Sequence, residues 1–413
     1  NAVSYGVYLA EGKTMTTKNF MPKSMLAAFL AILLVALTAC GTSGDSTGSS
    51  GSGNEVTIGY TGPLSGAAAY YGENTLNGLK MAAEEINEAG GFEVGGETYT
   101  INLQSLDDKY MPNDAAQNAK RLVQEENAKF IFMPHSGGVY ASQVFNEQDD
   151  FIIMAYSSEP GIVEQQNPLT IRIPPGYDGY VGPFSDYQME KFGPKLAMLA
   201  PATQYGKDWS EGLKPVWEEK GGEIVYEGSI DFSKDTDFYT MVTNALNEDP
   251  DVLFIGGPSE PTARVAKQAR DLGFEGGFLV MDQAKLDEMA AVYNDDYSFL
   301  EGATGVNPLI NADYPGTAQF IEKYNEVHNK NPGSEAGYHY VALYALVEAM
   351  KAAGTVDDTK AIMAAFDEGV KNIPEDKQVY AVAGVDEDGA FIPLWRMGVV
   401  EDGEVKSLNI DNE

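Results

Sequence analysis

Between residues 55 and 413 the chain repeats one pattern: a short, uninterrupted apolar run, then an amphipathic stretch of helical length. The runs are 56–60 (VTIGY), 130–133 (FIFM), 151–154 (FIIM), 196–199 (LAML), 252–255 (VLFI) and 278–281 (FLVM). A strand with one wet face alternates apolar and polar residues. A strand without alternation is buried on both faces, as parallel strands covered by helices are. Residues 99–106 and 224–226 read as further strands. Between strands, Leu76, Leu79, Ala82, Ala83 and Ile86 recur at helical spacing, and Pro112 stands where a helix start tolerates a missing N–H. These units are too many for one sheet. The break falls at 171–175 (IRIPP), where two prolines exclude a helix or a central strand. The pattern predicts an α/β chain of two doubly wound parallel-sheet lobes. The tail, 384–408, predicts short strands turning at Asp388-Gly389 and Asp402-Gly403.

The segment ahead of this body reads as an address. Lys13, Lys18 and Lys23 precede an uncharged apolar stretch, 25–39, which is shorter than the ~20 residues of a membrane span. It runs Leu37-Thr38-Ala39 into Cys40, the chain's one cysteine, and is similar to a bacterial lipobox, which implies a signal peptide over 1–39 and lipidation of Cys40. Residues 1–14 carry Glu11 and read as an upstream extension, with Met15 or Met21 as the start. Residues 40–54 then form a Gly/Ser/Thr-rich flexible tether.

Charge narrows the partners. With 27 Lys and Arg against 62 Asp and Glu, the net charge is −35. No run of basic residues is present to meet phosphates, so nucleic acid is excluded as a partner. A single cysteine permits no intrachain disulfide and no four-cysteine zinc site, and three histidines do not make a His-rich metal site. No cofactor and no metal is expected. Gly44 to Gly48 matches a Gly-x-Ser-x-Gly nucleophile motif, but it lies in the tether and lacks the strand-to-helix turn that the motif needs. His135 beside Ser136 lacks a third partner, so no catalytic triad is read and an enzyme is not expected. Asp107 and Asp108 read as caps of the helix that follows.

In open α/β sheets ligands bind at the carboxyl ends of the strands. There the first lobe carries Ser136-Gly137-Gly138 and Ser157-Ser158-Glu159, hydroxyls and helix-start amides that suit an anion such as a carboxylate. The second carries Tyr205, Ser259-Glu260 and Asp282, an aromatic and an acid that suit an ammonium.

The body resembles the type I periplasmic binding proteins, specifically the leucine/isoleucine/valine-type receptors of ABC importers. The resemblance rests on 58–91 (IGYTGPLSGAAAYYGENTLNGLKMAAEEINEAGG), 106–123, 204–214 (QYGKDWSEGLK), 231–246 and 251–273 (DVLFIGGPSEPTARVAKQARDLG). It implies two lobes joined by a three-crossing hinge, with lobe 1 over 55–173 plus 302–378 and lobe 2 over 174–301 plus 379–413. It further implies an amino-acid clamp. Ser136, with the neighbouring Gly137, and Ser158 (or Glu159 in an ungapped alignment) match the groups that hold the ligand carboxylate, Ser157 adds a backbone contact, Tyr71 and Tyr205 match cleft tyrosines, and Asp282 matches the acid that pairs with the ammonium. Pro258-Ser259 stands where the family has a tyrosine, so the side-chain pocket is altered. The implied protein is a monomeric, exported, lipid-anchored receptor that hands an amino acid to a permease and ATPase. The competing readings are a sensory module of the same fold binding an amide, urea or polyol, and a surface hydrolase.

Overall fold

The computed structural model describes residues 54–394 and 396–410. Cys40, the leader and most of the tether lie outside them. The first sheet contains β1 (Asn54–Gly62), β2 (Phe92–Val94), β3 (Glu97–Asp107), β4 (Phe130–Met133), β5 (Ile152–Ala155) and β6 (Thr170–Arg172), in the spatial order β2-β3-β1-β4-β5-β6. All its pairings are parallel except β2 with β3. The second sheet contains β7 (Lys195–Pro201), β8 (Glu223–Ile230), β9 (Val252–Ile255), β10 (Gly277–Val280) and β11 (Ala303–Val306). A separate hairpin, β12 (Val382–Val385) with β13 (Phe391–Pro393), precedes β14 (Arg396–Glu401) and β15 (Glu404–Asn409), which close the second sheet as an antiparallel edge in the order β15-β14-β11-β10-β9-β7-β8.

The uninterrupted apolar runs are explained by what covers them. In β4, Phe130 and Phe132 enter one core while Ile131 and Met133 enter the core on the opposite face. In β9, Leu253 and Ile255 divide from Val252 and Phe254 in the same way. Successive side chains of a strand point to opposite faces, so a run apolar at every position requires helices on both. Two of those helices, Ala69–Glu88 and Ser334–Ala353, approach so closely that a Cβ on Gly78 would lie 2.1 Å from the Ala336 carbonyl oxygen. Glycine there lets the backbones touch.

The chain passes between the lobes three times, after β6, after β11 and before β14. Two boundaries differ from the expectation. Residues 303–306 pair with β10 and β14 in the second sheet, so the chain leaves that lobe after 306 and not after 301. Residues 379–394 stay with the first lobe, where Val379, Tyr380 and Phe391 join its core and Ala390 bridges Arg172. Short strands carry too little pattern to say which sheet they will join. Only the first two residues of the IRIPP segment belong to a strand: β6, at the sheet edge, ends at Arg172, and Pro174 and Pro175 lie beyond it. The Asp402-Gly403 turn has positive φ at both positions, 58° and 78°, as a two-residue hairpin of this twist requires.

One polar node ties the first lobe's helices together. Glu85 accepts hydrogen bonds from Lys323 Nζ (2.8 Å), Tyr340 Oη (2.5 Å), Tyr344 Oη (3.0 Å) and Lys377 Nζ (3.1 Å). Burial raises its pKa, but these bonds outweigh it and hold the carboxyl at about 2. A depressed carboxylate stabilises the fold above its unfolded pKa, and the contribution is lost as pH falls from about 4.5 through 2. Glu85→Gln is therefore expected to cost about 1.5–3 kcal/mol at pH 7, the range for hydrogen bonds to a charged group. In thermal unfolding the gap between parent and variant should narrow as pH approaches 2. A gap independent of pH would assign the loss to packing instead.

Candidate functional site

The carboxyl ends of the two sheets face each other, and Asp282, just beyond β10, is where they join. Its Oδ1 accepts hydrogen bonds from Ser158 Oγ of lobe 1 (2.9 Å) and from Tyr205 Oη (2.7 Å) and Trp209 Nε1 (2.8 Å) of lobe 2. Tyr205 and Trp209 belong to the helix Gln204–Glu219, whose start is capped by Thr203 Oγ1 accepting from the Gly206 amide. Residues 205, 209, 213 and 217 are four apart, so they fall on one face, and all are buried. The Tyr205 hydroxyl also accepts from the Gln283 amide (3.0 Å), which fixes its donor toward Asp282. Burial, then the charge of Asp282, pushes the Tyr205 pKa well above its usual value, so it remains a donor. Asp282 does not cap the next helix: Leu286–Ala291 begins after Lys285 with no side-chain cap.

A cavity with about 290 Å³ of open space lies against this junction. Tyr71, Ser136, Ser157, Ser158, Tyr205 and Asp282 line it, so six of the residues named from the sequence converge there. Ser136 opens the helix Ser136–Gln143, and its Oγ is buried without a hydrogen-bond partner. The Gly138 amide is taken by His135 Nδ1 (3.0 Å). That makes Nδ1 the acceptor, so His135 Nε2 carries the hydrogen and donates it to Asp108 Oδ2 (3.0 Å). Both ring nitrogens are thereby committed, and neither serves Ser136 as a base. The free hydroxyl and the first amides of the helix remain as an anion-binding edge. Tyr71 Oη is used on the Pro134 carbonyl (2.8 Å), so it offers the cavity a ring face.

A second chamber, with about 520 Å³ of open space, lies on the hinge side of Asp282 and shares Tyr156, Pro174 and Asp282 with the first. Tyr180, Tyr314, Tyr338 and Tyr380 line it, with Tyr338 and Tyr380 stacked at 4.0 Å. A wider groove outside, with about 1760 Å³ of open space, runs past Gly137, Gln204 and Phe232.

Three assignments from the sequence are corrected. Ser259 is not in the cavity: its hydroxyl donates to Glu288 Oε2 (2.6 Å) and accepts from the Lys285 amide (3.0 Å). Gly137 lines the outer groove and not the inner cavity. Asp107 and Asp108 do not cap the helix Pro112–Glu126, which begins after Met111 with no side-chain cap. Asp107 instead accepts from the Leu64 and Lys109 amides and Ser65 Oγ, which pins the loop after β1, and Asp108 accepts from the Tyr110 amide and Thr61 Oγ1, which ties the turn after β3 to the end of β1. The sequence reading missed Trp209, Gln283, Lys285 and Tyr156. The four-residue spacing from Tyr205 could have found Trp209. Lys285, only 2% exposed, donates to the Asp282 (2.6 Å) and Gln283 (2.8 Å) carbonyls, and no local signal marks it. Among the described residues no group of three or more His, Cys, Asp or Glu is placed to hold a metal ion, and no helix is long and apolar enough to cross a membrane.

Residues 55–404 match the family model described as periplasmic binding protein. An amino acid binding protein of Pseudomonas aeruginosa is 28% identical over 315 residues, covering 74% of this chain and 81% of its own. Among solved structures, the leucine binding protein LivK of Thermotoga maritima superposes with a TM-score of 0.74 at 23% identity, covering 87% of this chain and 100% of its own. An ABC transporter solute binding protein of R. palustris in complex with benzoate superposes with a TM-score of 0.72 at 18% identity, covering 86% and 96%.

Tyr205→Phe removes one donor to Asp282 and leaves the buried Gln283 amide without its acceptor. The expected loss is about 2–4 kcal/mol, a charged hydrogen bond plus part of a stranded donor. Urea unfolding followed by circular dichroism measures it, and an unchanged midpoint would mean that Ser158 and Trp209 suffice.

Proposed function

The chain belongs to the type I periplasmic binding proteins of the branched-chain amino acid kind, and from that membership we propose that it is the extracytoplasmic receptor of an ABC importer whose ligand is an α-amino acid or close analogue held between the lobes. The observation that supports this most is the opposition of two unlike groups across one cavity. On one side is the unpartnered Ser136 hydroxyl at a helix start; on the other is the Asp282 carboxylate. The first suits a carboxylate and the second an ammonium. Only one Asp282 oxygen receives the three donors, which leaves Oδ2 for the ligand. The side chain then extends over Tyr156 toward the tyrosine-lined hinge chamber, which favours an apolar or aromatic group.

Asp282→Asn tests the ammonium contact. An asparagine oxygen still accepts from Ser158, Tyr205 and Trp209, so the junction is kept while the charge is lost. By calorimetry, affinity for the amino acid is expected to fall by about 2–5 kcal/mol, the range for breaking a buried charge pair. Ser136→Ala is expected to cost about 1.5–3 kcal/mol through the ligand carboxylate. A second reading, an aromatic carboxylate, is favoured by the tyrosines of the hinge chamber, by the three donors that already serve Asp282, and by the benzoate in the R. palustris neighbour. It moves ahead if Asp282→Asn binds amino acids as well as the parent does while benzoate binds both.

The receptor reading extends to the membrane. Cys40 ends a lipobox-like stretch and opens a Gly/Ser-rich tether, an arrangement that suits a lipid anchor holding the body at a membrane face. Mass spectrometry of detergent-extracted protein should find a diacylglyceryl group on Cys40 and no residues before it. Unmodified Cys40 in a chain that retains residues 25–39 would remove the anchor.

A further inference from the structure

We propose that closing the two lobes takes up a proton, because closure brings the carboxyl groups of Glu159 and Asp208 together across the cleft. Glu159 follows β5 in lobe 1, and Asp208 lies on the helix Gln204–Glu219 in lobe 2. Glu159 is 6% exposed. Its Oε1 accepts from the Gly161 amide (3.1 Å), and Asp208 Oδ1 accepts from Gln204 Nε2 (2.6 Å). The remaining oxygens, Glu159 Oε2 and Asp208 Oδ2, are buried and receive no hydrogen from any other donor. The two carboxyl groups are close enough for each to perturb the other. Two buried carboxylates at that range repel; a proton on one of them removes the repulsion and supplies the hydrogen bond that both free oxygens lack.

The surroundings assign that proton to Glu159. Burial, then the charge of Asp208, pushes its carboxyl up to about 8. Asp208 is also raised by burial, against the bonds from Gln204 and Glu159. The other charged and titratable groups around the pair do not undo this. Glu164 adds negative charge, the Tyr140 and Tyr177 hydroxyls are pushed up first by burial and then by Glu159, and Lys207 and Glu211 flank Asp208 with opposite signs. Half-buried Arg172 is the cation that acts on Glu159 here, and Asp178 and Asp386 act on it more strongly than Glu159 does.

A second carboxyl pair meets across the same boundary. Asn74 Nδ2 of lobe 1 donates both to Glu335 Oε1 of its own lobe and to Glu288 Oε1 of lobe 2, each at 3.0 Å. A Cβ on Gly333 would lie 2.3 Å from the Glu288 oxygen and 2.5 Å from both Glu335 oxygens, which shows how tightly the two carboxyl groups are crowded. Lys285 Nζ stands 3.8 Å from Glu335, Asp287 adds a third acid, and Tyr70 and Tyr324 face the group from the first lobe. Burial, then Glu335, raises Glu288 well above the usual carboxyl range. Opening the cleft separates each pair and returns its carboxyls to water.

The sign follows. A carboxyl at about 8 in the closed form and near 4.3 in the open form favours closure at low pH. The closed-to-open ratio should fall up to about tenfold per pH unit between about pH 4.5 and 8, then level off. The inference rests on lobe closure and not on the ligand assigned above. Small-angle scattering of the ligand-free full chain at pH 5, 6.5 and 8.5, at fixed ionic strength, tests it. The parent should expand with rising pH. Glu159→Gln should expand less than the parent up to pH 8.5, because an amide N–H donates to Asp208 without a titrating proton while the Glu288–Glu335 pair still titrates; Asp208→Asn is the second variant, with the same expectation. With L-leucine as probe, the parent's dissociation constant should rise over this window and that of Glu159→Gln should rise less. Absence of leucine binding would count against the amino-acid reading alone, since scattering still reports closure. A parent whose dimensions do not change with pH, or a Glu159→Gln variant that expands as much as the parent, overturns the proposal.

Discussion

Helices cover both faces of both sheets, and the rest of the molecule follows from that. Phe130, Ile131, Phe132 and Met133 are all fully buried, as are Val252, Leu253 and Phe254. A sheet packed this way has no wet face on which to hold a ligand. Its polar chemistry is confined to the ends of the strands, where the chain must turn and helix starts expose amides. With two such sheets set end to end by three crossings, the two sets of strand-end groups have only each other and a small ligand to face.

The resulting contact zone is unusual in its charge. In a chain of net charge −35, it gathers Asp282, Glu288, Glu335, Glu159 and Asp208 near the lobe boundary. Each acid is accommodated differently. Asp282 has three donors on one oxygen, Glu335 has Asn74 and the neighbouring Lys285, Glu288 has Ser259 and Asn74, and Glu159 is raised by burial and by Asp208, where we place a proton. Buried carboxyls without such partners would oppose closure strongly. The cleft is thus a place where hydrogen bonding substitutes for cations, which fits a chain with few of them.

Legibility from sequence followed the range of the interaction. Strands and helices were readable because periodicity is local: β4 and β9 fall on the runs 130–133 and 252–255, and Pro112 opens its helix. Ser136, Ser158, Tyr205 and Asp282 were readable as site residues because each follows a strand directly. Ser259 satisfied the same rule and still failed it, since its hydroxyl is taken by Glu288, 29 residues on. Asp107 and Asp108 look like caps from the helix beside them, yet the groups they bind include Leu64, Ser65 and Thr61, more than 40 residues earlier.

The sequence by itself determined the two doubly wound lobes, the strand ends that carry the chemistry and the acidity of the surface, because those depend on residue type, order and spacing alone. Tertiary structure decided the rest. It chose which lobe receives 303–306 and 379–394, it committed both nitrogens of His135 away from Ser136, and it set Glu159 against Asp208. Each of these turns on a hydrogen bond or a shared core between segments far apart in the chain. Whether a given serine, histidine or carboxyl is spent or free is a property of its neighbours in space, which no local pattern encodes.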